Sequence, residues 1–306
     1  MQVKLGWKVY LDRTPVQSIV ASMPQGPGIA PGQKSPLIVT FTEPTGKILT
    51  TEGKGRGKVM WKELNVAASV VTVNNKGVLS LDRDPRTSDG KVGHIIVTVP
   101  SHPDLRAELD VPLRYDRKYT ANFSGASGLD GSSGMNGSDG ISGSPGSIDP
   151  NNPSAGGNGG DGSDGTDGGD GSSGGNALPV QIRVALRAGT HPLLQVSVSS
   201  AGKQRFYLID PQGGSLTVSA DGGRGGNGGK GGRGGRGGMG GAGSPSGSSG
   251  TDGHDGRDGM SGSSGSGGLI TVTCDPQAKP YLGVIHLSSQ NGPAPLFKQE
   301  TVAALW

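Results

Sequence analysis

The chain has 306 residues, of which 60 are glycine and only 4% aromatic, with a formal net charge of +3. Glycine at nearly three times its usual ~7% leaves a large part of the chain unable to build an apolar core, and so slight a charge gives no ground for binding nucleic acid or an anionic membrane. One cysteine, Cys274, excludes an intrachain disulfide framework and a cysteine-rich zinc site, and no apolar run approaches the ~18 residues of a membrane span.

Residues 1–123 alternate apolar and polar side chains as half-buried antiparallel strands do, at 2–11 (QVKLGWKVYL), 36–42 (PLIVTFT), 67–73 (AASVVTV), 94–99 (HIIVTV) and 107–115 (AELDVPLRY). Asn74-Asn75-Lys76-Gly77 and Ser88-Asp89-Gly90 carry turn residues, and the proline-rich stretch 24–36 reads as a loop. Only 61–68 hints at a helical period. The run VVTVNNKGVLSL, GKVGHIIVTVP, AELDVPLRY, within 67–116, resembles the second half of a bacterial immunoglobulin-like domain. The resemblance implies a β-sandwich spacer or adhesive module with no active site.

Beyond 123 the chain reads as a second β unit, 176–220 and 267–290, interrupted by two glycine-rich excursions, 124–175 and 221–268, and followed by an apolar extension over 291–306 that ends in VAALW. Strands are expected at 178–186, 193–198, 205–209, 214–219, 269–274 and 281–287. Both excursions therefore leave from and return to strands. The fold class is mainly β with almost no α-helix.

Glycine recurs every third residue from Gly125 through Gly128, Gly131, Gly134, Gly137 and Gly140 to Gly146, then in a new register through Gly159, Gly162 and Gly165 to Gly174. The second tract holds one phase through Gly223, Gly226, Gly229, Gly232, Gly235 and Gly238 as far as Gly268, with Ser244 the one exception. A flexible linker has no reason to keep such a phase. A three-residue period is that of a polyproline-II-type helix. Collagen needs far more proline than Pro145, Pro150, Pro153 and Pro245 provide. The alternative is a bundle of polyglycine-II helices, whose bare faces let backbones satisfy one another. The G-G-X repeat of 222–241 suits a helix with neighbours on two faces, and the G-X-X repeats of 125–146 and 247–265 suit the rim. Reversals are expected at 148–155 and 244–246. In repeat grammar the tracts resemble the polyglycine-II bundles of snow-flea antifreeze proteins and phage tail-fibre tip adhesins.

Charge in the tracts is segregated. Asp161, Asp164, Asp167 and Asp170 fall on one edge, and Arg224, Lys230, Arg233 and Arg236 on another, at the same spacing. Docking of the two rows is expected to set register through ion pairs. Calcium is an alternative partner for the Asp row, because 156–161 (GGNGGD) matches the opening of a calcium-binding nonapeptide, but the pattern does not recur every nine residues. The five histidines have no metal-ligand spacing, and a G-x-S-x-G match at 171–175 has no strand feeding it. No catalytic residue, cofactor or metal site is expected. The RGG strings lack interleaved aromatics for bases to stack on, so no nucleic-acid partner is expected either.

These features point first to a non-enzymatic structural or assembly protein that self-associates, with a homo-oligomer or other structural subunits as partners. The alternative is an adhesin or receptor-binding tip for a cell-surface glycan or protein, and ice binding is a third reading. A surface or particle-associated location is favoured, although the opening residues hold no hydrophobic stretch of signal-peptide length.

Overall fold

In a computed structural model, which describes residues 8–187 and 189–306, the protein is mainly β with little helix. The amino-terminal unit contains β1 (Ser18–Ser22), β2 (Lys34–Pro36), β3 (Ile38–Thr42), β4 (Ile48–Thr50), β5 (Asn65–Ser69), β6 (Val71–Val73), β7 (Val78–Leu81), β8 (Gly93–Val99) and β9 (His102–Val111). They form three antiparallel sheets, β1-β3-β4, β2-β7-β6 and β5-β8-β9. The alternation of β8 is complete, with every second residue from Gly93 to Val99 buried. Phe41, Leu79, Ile95, Val97 and Val111 fill one shared core. Gly77 turns the β6–β7 hairpin at φ 67°, a conformation that glycine adopts without Cβ strain, and a Cβ there would run into the Trp61 indole.

Several elements differ from the sequence reading. Of the strand expected over 2–11, residues 2–7 lie outside the described residues; the rest gives a bridge from Val9 to Val59 and a 3₁₀ turn at Leu11–Arg13. The strand expected over 67–73 is broken at Val70, which takes φ 65° between β5 and β6. β9 stops at Val111 because Pro112 has no N–H to continue the ladder. Residues 61–68 make one 3₁₀ turn, Trp61–Glu63, before β5 begins.

The second unit contains β10 (Lys118–Asn122), β11 (Val180–Arg187), β12 (Leu193–Ser200), β13 (Lys203–Ile209), β14 (Ser215–Ser219), β15 (Ile270–Cys274), β16 (Ile285–Ser288) and β17 (Leu296–Gln299). Its three-stranded sheet, β10-β14-β16, is wholly parallel; the five-stranded sheet runs β13-β12-β11-β15-β17, with β11, β15 and β17 parallel. Three crossings run from the three-stranded sheet to the five-stranded one, β10 to β11, β14 to β15 and β16 to β17. The first two are the glycine tracts, and the third is only 289–295. Val180, Ile182, Val196, Val198, Leu216, Val218, Ile270 and Val272 pack in a core that includes the buried Cys274, whose thiol burial pushes its pKa up. The expected strand over 281–287 starts late, because Pro276–Val284 forms a 3₁₀ segment capped by the Asp275 carboxylate.

The tail crosses back within the same molecule. Leu305 N–H donates to Gln195 Oε1 (3.0 Å), Val302 is buried, and Trp306 sits edge-on to Phe206 while its Nε1–H donates to Asp89 Oδ2 (2.9 Å). Arg187 also reaches Asp89 (3.1 Å), joining the two units.

A Cβ added at Gly165 or Gly232 would land on a backbone carbonyl of a neighbouring segment, Gly232 or Met135 respectively, which cannot swing aside as a side chain can. Gly165→Ala and Gly232→Ala are expected each to cost about 1–3 kcal/mol of stability, whereas Met239→Ala, at an exposed position, is expected within about 0.5 kcal/mol of the parent. Chemical denaturation of the three variants checks this.

Candidate assembly site

The tracts make four extended segments, 124–146, 155–176, 221–242 and 247–268, with reversals at 147–154 and 243–246. None carries a strand assignment, yet each is hydrogen-bonded to its neighbours at every third residue. In the first segment the N–H groups of Gly125, Gly128, Gly131, Gly134, Gly137 and Gly140 donate to the carbonyls of Asp221, Arg224, Asn227, Lys230, Arg233 and Arg236 at 2.7–2.9 Å. Both numbers rise together, so the first and third segments are parallel. Gly159, Gly162 and Gly165 donate to Ser248, Thr251 and His254, making the second and fourth segments parallel as well. Gly223, Gly226, Gly229, Gly232, Gly235 and Gly238 donate to Gly175, Ser172, Gly169, Thr166, Ser163 and Gly160, an antiparallel pairing. The second segment also donates to the first, as from Gly169 to Ser132, and the fourth to the third, as from Gly256 to Gly232. The second and third segments thus have three neighbours each, and the first and fourth have two. Every third residue from Gly223 to Gly241 is a buried glycine, the X residues between them being exposed.

Side chains supply the acceptors that the backbone ladder leaves out. Asp161, Asp164, Asp167 and Asp170 each accept the N–H of one residue in the fourth segment, Thr251, His254, Arg257 and Met260, at 2.6–2.7 Å. Asn158 and Asn176 do the same at the ends of the row. This corrects the expected docking of the Asp row on the row Arg224, Lys230, Arg233 and Arg236. The physical reason is that an amide N–H without a backbone partner needs an acceptor in reach, and a short carboxylate on the adjoining segment meets that need.

The basic row lies instead between two other sets of acids. Asp130 and Asp139 of the first segment accept from Asn227 and Arg236 N–H, while Asp252, Asp255 and Asp258 of the fourth accept from Gly237, Gly234 and Gly231. Lys230 Nζ also pairs with Asp258. Ser163, Thr166 and Ser172 accept from Ser138, Met135 and Leu129. These caps were readable as short acceptors at every third position, but the sequence reading assigned them no role. Among the described residues no group of three His, Cys, Asp or Glu side chains converges as a metal site would require.

The bundle rests on the third crossing. Gly222 and Gly267 donate to the Gln290 and Asn291 carbonyls, and Gln290 N–H donates to Asp221 Oδ1 (2.7 Å). Beside this base the two sheets end in β16 and β17, with an open cavity of about 530 Å³ between them lined by Val272, Leu282, Ile285, Leu287, Pro295 and Phe297. All four residues of β17 are exposed, Phe297 at 62%. The sequence reading did not identify β17, because LFKQ is short and has no buried alternate residue. At the opposite end, β13 packs against the amino-terminal unit around Pro85–Thr87.

No protein-family model matches the chain, and no curated protein matches it.

Backbone hydrogen bonds lower the pKa of Asp161 and Asp164, and the Lys230 contact lowers that of Asp258. A depressed folded pKa means stability that is fully present above the unfolded value, ~3.9, and is lost as pH falls through the folded value. The melting temperature is therefore expected to hold down to about pH 5 and to fall below about pH 4. Asp161→Asn/Asp164→Asn keeps an acceptor oxygen at both rungs, as Asn158 and Asn176 already do. The double variant is expected to melt normally at pH 7 and to show a shallower acid limb in scans from pH 2.5 to 7.

Proposed function

We propose that the chain is a self-associating, non-enzymatic structural subunit: four polyglycine-II helices stand on a two-sheet base, and a second copy docks on the open end formed by β16 and β17. The amino-terminal unit, with its three antiparallel sheets about one core, is read as an immunoglobulin-like spacer. A β-ladder recurs every second residue on a strand, whereas these segments bond at every third residue and in up to three directions, which is the symmetry of a threefold helix. Polyglycine-II geometry accounts for that recurrence.

The observation that carries the assembly reading is the open end itself. Two parallel edges, one from each sheet, stand side by side with unpaired backbone groups, and the apolar cavity between them lacks the outer wall that the next pair of strands would provide. An edge strand presents a row of unpaired N–H and C=O groups on which another chain can pair. A copy related by a two-fold axis would present the same edges to these, closing both cavities in one contact.

The measurement is mass by light scattering across a dilution series, with Phe297→Asp as the variant. Phe297 is largely exposed, so the charge is expected to leave the melting temperature within a few degrees of the parent. The parent is expected to reach at least twice the monomer mass at high concentration, and the variant to stay monomeric. A parent that remains monomeric throughout, or a variant that associates as the parent does, would overturn the assignment.

A further inference from the structure

The other end of the two-sheet unit is closed by the amino-terminal unit, and between them lies a cleft of about 620 Å³ with a different chemistry. One wall is the start of β10, with Arg117 and Lys118; the second is β13, with Arg205; the third is the loop carrying Arg83. All four cations are exposed, and among the described residues none has a carboxylate within 4 Å. The cleft's one acid, Asp84, is already taken by Arg86, whose Nε donates to Oδ1 at 2.9 Å and whose Nη2 donates to Oδ2 at 2.6 Å. Four like charges line one cleft with no carboxylate partner among the described residues, an arrangement that disfavours the empty state and attracts an anion.

The aromatic groups restrict the class of anion. Arg86 covers one face of Phe206 at 3.8 Å, Trp306 meets the same ring edge-on, and Tyr119 packs on Tyr207 at 5.6 Å. These contacts occupy the rings that would otherwise offer a platform on which nucleic-acid bases stack. What remains on the walls is guanidinium, ammonium, and the hydroxyl and amide groups of Thr120, Gln204 and Tyr207. Those groups suit a ligand that is both anionic and rich in hydroxyls. The volume lies in the range of small-ligand sites and exceeds what a single inorganic anion fills.

We propose that this cleft binds an anionic oligosaccharide, a short chain of sugar rings bearing carboxylate or sulfate groups, with Arg83, Arg117, Lys118 and Arg205 holding the anions. The site is independent of the assembly end: the two lie at opposite edges of the same sheets.

The test is calorimetric titration of the full chain with a sulfated tetrasaccharide, a tetra-uronate, neutral maltotetraose, sodium sulfate and a twelve-nucleotide single-stranded DNA. At least one charged tetrasaccharide is expected to bind ten-fold or more tightly than maltotetraose, sulfate and the DNA, and the stronger of the two identifies the acid group. Arg117→Ala/Lys118→Ala and, separately, Arg83→Ala are expected to weaken that binding at least ten-fold without shifting the melting temperature, since these side chains make no ion pair to lose. No binding of either charged saccharide at millimolar concentration, equal binding of the neutral one, DNA binding as tight as the best saccharide, or undiminished binding by folded cation variants would each overturn the proposal. Phe297→Asp serves as a control, and its binding is expected to equal that of the parent.

Discussion

The parallel pairing of β10 with β14, and of β11 with β15, is the constraint on which the rest of the second unit depends. The first and third glycine segments begin where β10 and β14 end, and the hydrogen-bond ladder passes from strand to segment without a change of partner: Phe123 donates to Ser219, Gly125 to Asp221 and Gly128 to Arg224. The second and fourth segments enter β11 and β15 in the same way, with Ala177 donating to Ser266 and Val180 to Leu269. Glycine gives up more conformational entropy on ordering than any other residue, so long glycine segments would not hold a common register on their own. A packed sheet at their feet fixes the phase of all four. The energetic cost of ordering them is then met by a repeating set of amide bonds, each worth about 0.5–1.5 kcal/mol net.

Given that register, the composition of each segment follows from amide accounting. The third segment, with three neighbours, repeats Gly-Gly-X and exposes only X. The second, also with three neighbours, keeps Gly, Ser or Thr at its middle position and a short acceptor at the third. Its Asp row faces the backbone of the fourth segment, and its Ser and Thr hydroxyls face that of the first. The two rim segments carry most of the large apolar residues that the bundle exposes, Leu129, Met135, Ile141 and Met260, with Met239 on the third. Charge is used mainly as hydrogen-bond capacity, with Lys230 and Asp258 adding an exposed ion pair, a kind that usually contributes little.

The three-residue phase was legible in the sequence because glycine marks the buried face directly. The neighbours of each face were not, because phase identifies a face without saying what lies against it. The strands that settle the question are weak signals: β10, KYTAN, buries only Ala121, and β17 buries nothing. The Asp row was read as half of an ion-pair ladder because carboxylates and guanidinium groups shared a spacing. Counting unpartnered N–H groups per repeat would have redirected it to the backbone. In the amino-terminal unit β8 was read almost to the residue because its alternation is strict, while β1, β2 and β4 were passed over: β2 and β4 span three residues each, and β1 lies in a stretch too short for its alternation to stand out. The basic cleft could not be seen in sequence at all, since Arg83, Arg117 and Arg205 come together only when the two units meet.

Amide hydrogen exchange, resolved by residue in the glycine tracts, tests this account most directly. If the four segments are locked by the sheets, the N–H groups of Gly165, Gly226, Gly232 and Gly256, each bonded to a neighbouring carbonyl, exchange as slowly as those of β12. In the first, second and fourth segments, amides without a backbone or side-chain acceptor exchange orders of magnitude faster, so protection there recurs with the three-residue period, whereas it is continuous over 231–238 of the third segment, where every N–H has an acceptor. Uniformly fast exchange across 124–175 and 221–268, at the rate of an unstructured peptide, would contradict the account.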